Sequence, residues 1–214
     1  MAGKNNGRSF SIRMCVFAVL AGMLCVITAV SAEEFAGGSG TEEDPYRVET
    51  VEHLTNVRNY PGSYFTQTGD IAFEESDFSP GGGFNNGGMG WEPVGHGANP
   101  FSGIYDGNKK TVTGLYINRP QQDMVGLFGC VTGTICHVII ENANITGKEF
   151  VGGIAGKLSN GDISNCHTGG AVSGESGVGG VVGQSNTSIH NCFSRAEVTA
   201  NSDFGSFVGQ WLFE

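Results

Sequence analysis

The sequence predicts an all-β fold, a right-handed β-solenoid with coils of about 27 residues, and three observations carry that expectation. Short apolar units end in Gly129, Gly156, Gly183 and Gly209, at steps of 27, 27 and 26 residues. Other positions keep the same step. Ile135, Ile163 and Ile189 recur with Val138, Cys166 and Cys192 three places after them, and Ile145, Val172 and Val198 recur in the same way. Finally, each unit is rich in Val, Ile, Thr, Ser, Asn and Gly and lacks the runs of roughly ten amphipathic residues that a helical repeat needs. The leucine-rich pattern is absent, and a propeller blade of roughly 40 residues is too long for the period. A coil of three short strands joined by tight turns is expected.

That geometry accounts for the residue types. Stacking at about 4.8 Å sets Ile on Ile and Val on Val in a narrow interior, so equivalent positions favour the same apolar shape. Corner glycines supply either a positive φ or room for close backbone approach. Asn165 and Asn191 are expected to form a side-chain ladder at another corner, where His137 stands in the preceding unit.

Residues 33–123 read differently, as an N-terminal cap and first irregular coil ahead of the repeats at 124–214. Tyr46 to Val48 is a short strand. Glu49 to Asn59 is a helix with Val51, Leu54 and Val57 on one face and Thr50 as a candidate N-cap. Strand returns from Ser63 to Ile71, the glycine-rich stretch 79–90 is a loop, and Phe101 to Asn118 alternates in β fashion around an Asp106-Gly107-Asn108 turn.

Residues 1–32 have the charge, apolar core and small-residue end of a secretory signal peptide cleaved after Ala32. The 17-residue core from Met14 to Val30 leaves an uncleaved anchor as the alternative. Cleavage leaves eight basic side chains against all 21 acidic ones, a formal charge of −13, which excludes the basic footprint that nucleic acid or anionic lipid requires. The expected location is secreted or cell-surface, with no membrane contact after cleavage.

Four cysteines remain in the exported part. Cys166 and Cys192 share a repeat position, so stacking puts their Cα atoms within disulfide range, although parallel side-chain directions leave a buried thiol ladder equally compatible. Cys130 and Cys136 flank a short turn and form a second candidate pair. No CxxC or His-rich spacing suggests zinc, and neither a cofactor motif nor a catalytic motif is present. Asp106 is a candidate carboxylate that doubles as turn chemistry, and Glu74, Glu75 and Asp77 form the densest acidic cluster without calcium-loop spacing. Trp91 reads as a buried anchor. Asn144-Ile-Thr146 and Asn186-Thr-Ser188 are glycosylation sequons.

The VGLFG, VGGIAG and VGGVVG units, each followed by a strand of the Ile-x-Asn-Cys type, resemble the GLUG motif of bacterial and archaeal surface proteins and some IgA-specific metallopeptidases. The upstream GGSGTEEDPYRVETVEHL, Trp91-Glu-Pro-Val-Gly95 and PFSGIYDGNKKTVTGLYI segments are similar to the stretch that commonly precedes those motifs. The resemblance implies a secreted or surface β-solenoid used for display, adhesion or assembly. The His-Glu-x-x-His helix of the peptidase members is missing, so a non-enzymatic scaffold is expected, presenting Lys148, Glu149, Glu175, Arg195 and Glu197 to a protein or glycan partner. A polysaccharide-binding or polysaccharide-cleaving β-helix is one alternative, and a fragment of a larger surface protein is another. Ser206 and Thr187 depart from the repeat glycines, and no cap is evident near Glu214, so end-to-end self-association is expected.

Overall fold

The computed structural model describes residues 34–212, so the signal peptide and its cleavage at Ala32 lie outside the described residues. Every strand-to-strand ladder in it is parallel. The pairing offsets equal the sequence period: Phe128 lies beside Ala155, Ala155 beside Val182, and Val182 beside Val208. A β-solenoid of about four regular turns results, as the repeats predict.

Four sheets run along the stack. The first contains β1 (Tyr46–Val48), β2 (Tyr64–Gln67), β4 (Ile104–Asp106), β8 (Thr134–Cys136), β12 (Asp162–Ser164) and β16 (Ile189–His190). The second contains β3 (Ile71–Ala72), β5 (Thr111–Thr113), β9 (Ile139–Thr146), β13 (His167–Ser173) and β17 (Phe193–Ser194), with β6 (Tyr116–Asn118) against β9 and β18 (Glu197–Thr199) against β13. The third is β10 (Glu149–Gly152), β14 (Ser176–Gly179) and β19 (Ser202–Gly205), and the fourth is β7 (Phe128–Val131), β11 (Ala155–Leu158), β15 (Val182–Ser185) and β20 (Val208–Trp211). A regular coil therefore has four strands where three were expected. The Val-Gly-Gly-Ile-Ala-Gly unit is not one segment: β10 ends at Gly152, the chain bends through Gly153 and Ile154, and β11 begins at Ala155.

The interior is built of ladders. Ile163 pairs with Ile135 on one side and Ile189 on the other, and the same row continues through Tyr105 and Phe65 to Tyr46. Its side chains change from aliphatic to aromatic toward the N-terminal end, where Phe35 stacks on Tyr46 at 4.3 Å. Val112, Ile140 and Ile145 are fully buried in the second sheet.

Residues 34–123 do more than cover the end. Their strands β1, β2 and β4 extend the first sheet, and β3, β5 and β6 extend the second. The expected helix forms as α1 (Val51–Asn56) followed by a 3-10 turn at Val57–Asn59; Thr50 caps it by accepting the His53 N–H at 3.2 Å, and Val51, Leu54 and Val57 face the core. The Asp106-Gly107-Asn108 turn is a corner rather than a hairpin, because β4 and β5 belong to different sheets and each pairs with other coils. Asn108 and Lys109 take positive φ there, and that redirects the chain around the coil instead of back along it. The acidic cluster forms the single-turn helix α2 (Glu75–Phe78), whose capping box has Asp77 accepting the Glu74 N–H at 2.8 Å. Among the described residues no helix is long and apolar enough to cross a membrane.

Two kinds of corner repeat. Met124, Phe150, Gly177 and Asp203 form one left-handed row, and His137, Asn165 and Asn191 form another with φ of 53°, 55° and 51°. Asn165 and Asn191 thus share one corner conformation, and His137 adopts the same backbone. The repeat glycines have a different task. A Cβ on Gly156 would lie 2.3 Å from the Met124 carbonyl carbon, and one on Gly183 would lie 2.3 Å from that of Phe150. Neither glycine has a positive φ, so close approach is the reason for them.

Candidate functional site

The first sheet places Asp106 directly beside Cys136, one coil apart and both on the outward side of the strands. His137 follows Cys136 into the left-handed corner. That backbone turns its ring over the preceding coil, and Nδ1 comes within 3.0 Å of Asp106 Oδ1. The same oxygen accepts the Asn108 N–H at 2.8 Å, so Asp106 does have the turn role its sequence suggested. Asp106 and His137 keep 41% and 35% of their side-chain surface exposed, which leaves the pair open to solvent. Burial, reinforced by the neighbouring Asp106 carboxylate, pushes the Cys136 thiol up to about 12. Nothing in the sequence joins these three residues, because Asp106 is 30 residues from Cys136 and their meeting depends on the register.

Cys166 and Cys192 meet as their shared repeat position predicts. The Cys166 N–H donates to Cys192 Sγ at 3.3 Å. The side-chain hydrogen bond from Cys166 holds the Cys192 thiol below its ordinary range, and the same contact together with burial drives Cys166 upward. All four cysteines are free thiols in the structure. Cys130 and Cys136 do not share surroundings: Cys130 lies beside Lys157 in the fourth sheet, Cys136 beside Asp106 in the first. Burial raises the Cys130 thiol too. Iodoacetamide at pH 8 is therefore expected to modify Cys192 ahead of the other three in the native chain, as read by peptide mass mapping; preferential labelling of Cys136 would contradict this arrangement.

The polar residues expected to form a display surface divide between two places. Lys148 and Glu175 occupy one corner on successive coils, where the Lys148 carbonyl accepts the Glu175 N–H at 2.7 Å, and Glu149 starts the adjoining β10. Arg195 and Glu197 lie on the last described coil, with the Arg195 guanidinium 5.1 Å from the Phe193 ring centre. His167 faces Glu141 at 3.7 Å, whereas His190 is exposed. Of the sequon asparagines, Asn144 is exposed, and Asn186 hydrogen-bonds Asn160 on the preceding coil.

Trp91 is fully buried, as expected. Its Nε1–H donates to the Leu127 carbonyl at 3.1 Å, Phe73 packs edge-on against it, and the Arg58 guanidinium lies 4.9 Å from its ring centre. Near it, Phe73, Glu74, Glu75, Phe78, Gly114 and Tyr116 are among the residues that line a groove of about 490 Å³. The half-exposed rings of Phe78 and Tyr116 are 5.4 Å apart, a grouping of aromatics and carboxylates that the sequence separates by 38 residues.

No family model matches the chain. A stretch of 136 residues, 63% of the chain, is 36% identical to a protein of Evansella cellulosilytica named "Putative Gly-rich membrane protein". Another of 153 residues, 69% of the chain, is 35% identical to halomucin of Haloquadratum walsbyi. The chain spans 15% of the length of the first relative and 2% of the second. Its fold is similar to that of a crystal structure named as a "putative immunoglobulin A1 protease" from Bacteroides ovatus, with a TM-score of 0.56, 20% identity, and coverage of 84% of this chain and 65% of that one. The likeness to that structure is one of fold alone.

Proposed function

We propose that the chain is a secreted or cell-surface, non-enzymatic scaffold of the GLUG-repeat type that displays its stacked outer surface to a protein or glycan partner. The observation that carries this reading is the stack itself: in-register coils whose inward positions are apolar ladders and whose outward positions vary freely in polarity. Such a stack sets the spacing of surface groups through its backbone, and it lengthens by adding coils. The relatives support a modular role, since the matched stretch is a small part of much longer proteins, one of them named a membrane protein. Among the described residues the last coil exposes Phe193 at 49% and Phe204 at 63%, and β16, β17 and β19 stand at the ends of their sheets, which supports end-to-end association with another coil or copy.

The groove beside α2 favours a glycan over a protein as the first partner to test, because aromatic faces flanked by carboxylates suit sugar C–H and hydroxyl groups. On an array of glycans and extracellular-matrix proteins, the purified chain is expected to retain a subset of glycans, and Tyr116→Ala is expected to lower that signal at least tenfold without unfolding the chain. Turnover of a polysaccharide that disappears in Glu75→Gln would replace the scaffold reading with an enzymatic one. A strictly monomeric sedimentation profile at high concentration would remove the end-to-end contact.

A further inference from the structure

We infer that Asp106, Cys136 and His137 form a binding site for one divalent cation of the zinc class, clasping two adjacent coils. One carboxylate oxygen, the thiol sulfur and an imidazole nitrogen all lie within 4.8 Å of one another, and Nδ1 is already 3.0 Å from Oδ1. A tetrahedral ion with metal–sulfur and metal–nitrogen bonds of about 2.3 and 2.0 Å separates its ligand atoms by roughly 3.2 to 3.7 Å. Movement of the Cys136 sulfur by about an ångström, within the reach of one χ1 rotation, closes the set.

Donor chemistry selects the ion. A thiolate, an imidazole and a single carboxylate suit zinc and its neighbours, whereas calcium and magnesium demand six or more oxygen donors. All three residues are partly exposed, so an ion can enter from solvent, and three protein ligands leave a fourth position for water or a donor from a partner.

The register explains why the site occurs once among the described coils. In the same row, Cys136 is followed by Ser164 and then His190, and the corner held by His137 passes to Asn165 and Asn191. One coil on, the equivalent of the Asp-Cys-His set is therefore Cys136, Ser164 and Asn165; two coils on, it is Ser164, His190 and Asn191. Neither provides a carboxylate with an imidazole and a thiolate. His137 is the departure from the asparagine corner, and it falls on the coil where Asp106 and Cys136 meet.

The experiment is titration of the purified, reduced chain with cobalt(II), followed by zinc competition and metal analysis after dialysis. The expected result is one equivalent of metal and a near-ultraviolet thiolate-to-cobalt absorption that zinc abolishes. Cys136→Ser is expected to remove that absorption, and Asp106→Asn and His137→Ala to weaken zinc binding at least tenfold. Far-ultraviolet circular dichroism establishes that each variant retains the fold, and the spectrum of the unaltered chain stands whether or not a variant folds. No thiolate absorption in the unaltered chain overturns the inference. So does an absorption that survives in folded Cys136→Ser, which would assign the ion to another thiol such as Cys192.

Discussion

Replacing Gly156 with alanine is expected to destabilise the chain by about 3 kcal/mol, the upper part of the usual range for inserting an atom into a packed interior. The new Cβ would sit 2.3 Å from the Met124 carbonyl carbon and 2.4 Å from the Val125 nitrogen. Both are backbone atoms of the neighbouring coil's corner, so no rotamer change relieves the clash and two coils must separate locally. Gly183→Ala meets the Phe150–Val151 backbone at the same distances and should cost about as much. Gly83→Ala is the control: nothing lies within 4 Å of its Cβ, φ is ordinary there, and the change should stay within about 0.5 kcal/mol. Guanidinium titrations of the three variants measure this directly. Equal midpoints for Gly156→Ala and Gly83→Ala would mean that the coils are not packed as described.

Trp91→Ala is expected to cost about 4 kcal/mol, in the range for removing a large buried aromatic. The indole is wholly enclosed between Phe73, Phe84 and the Arg58 guanidinium, and its loss leaves a cavity where the N-terminal strands join the regular coils. Trp91→Phe should cost much less, about 1 kcal/mol from the hydrogen bond, because the Leu127 carbonyl that accepts the indole N–H at 3.1 Å also accepts the Val94 N–H at 3.0 Å and stays satisfied. Thermal and denaturant unfolding of the two variants checks both values. A Trp91→Ala variant as stable as Trp91→Phe would show that the ring is a surface feature and not an anchor.

These two sites differ in how far they could be read from the chain. The importance of Gly156 and Gly183 is visible in their period, but the reason for it is not, since a corner glycine and a close-approach glycine look alike in sequence. Coordinates separate them through φ and the position of the neighbouring backbone. Trp91 was legible as an anchor because large aromatics dominate cores and its Trp-Glu-Pro-Val-Gly setting resembles a structural element. The strand count was not legible. A bend through Gly153 and Ile154 divides one apolar unit into β10 and β11, and apolar patterning does not record a change of sheet.

By itself, the sequence determined the class of fold, the coil length and the ladder partners, because parallel in-register stacking requires equivalent residues to recur at the coil step. Ile135 on Ile163 and Cys166 beside Cys192 follow from that rule alone. Only the tertiary structure decided what meets on the outward faces. Exposed positions are under no demand to repeat, so the groove of Phe78 and Tyr116 leaves no periodic trace. The same holds for Asp106, Cys136 and His137, which converge because register sets one coil's corner over the strand end of the coil before it.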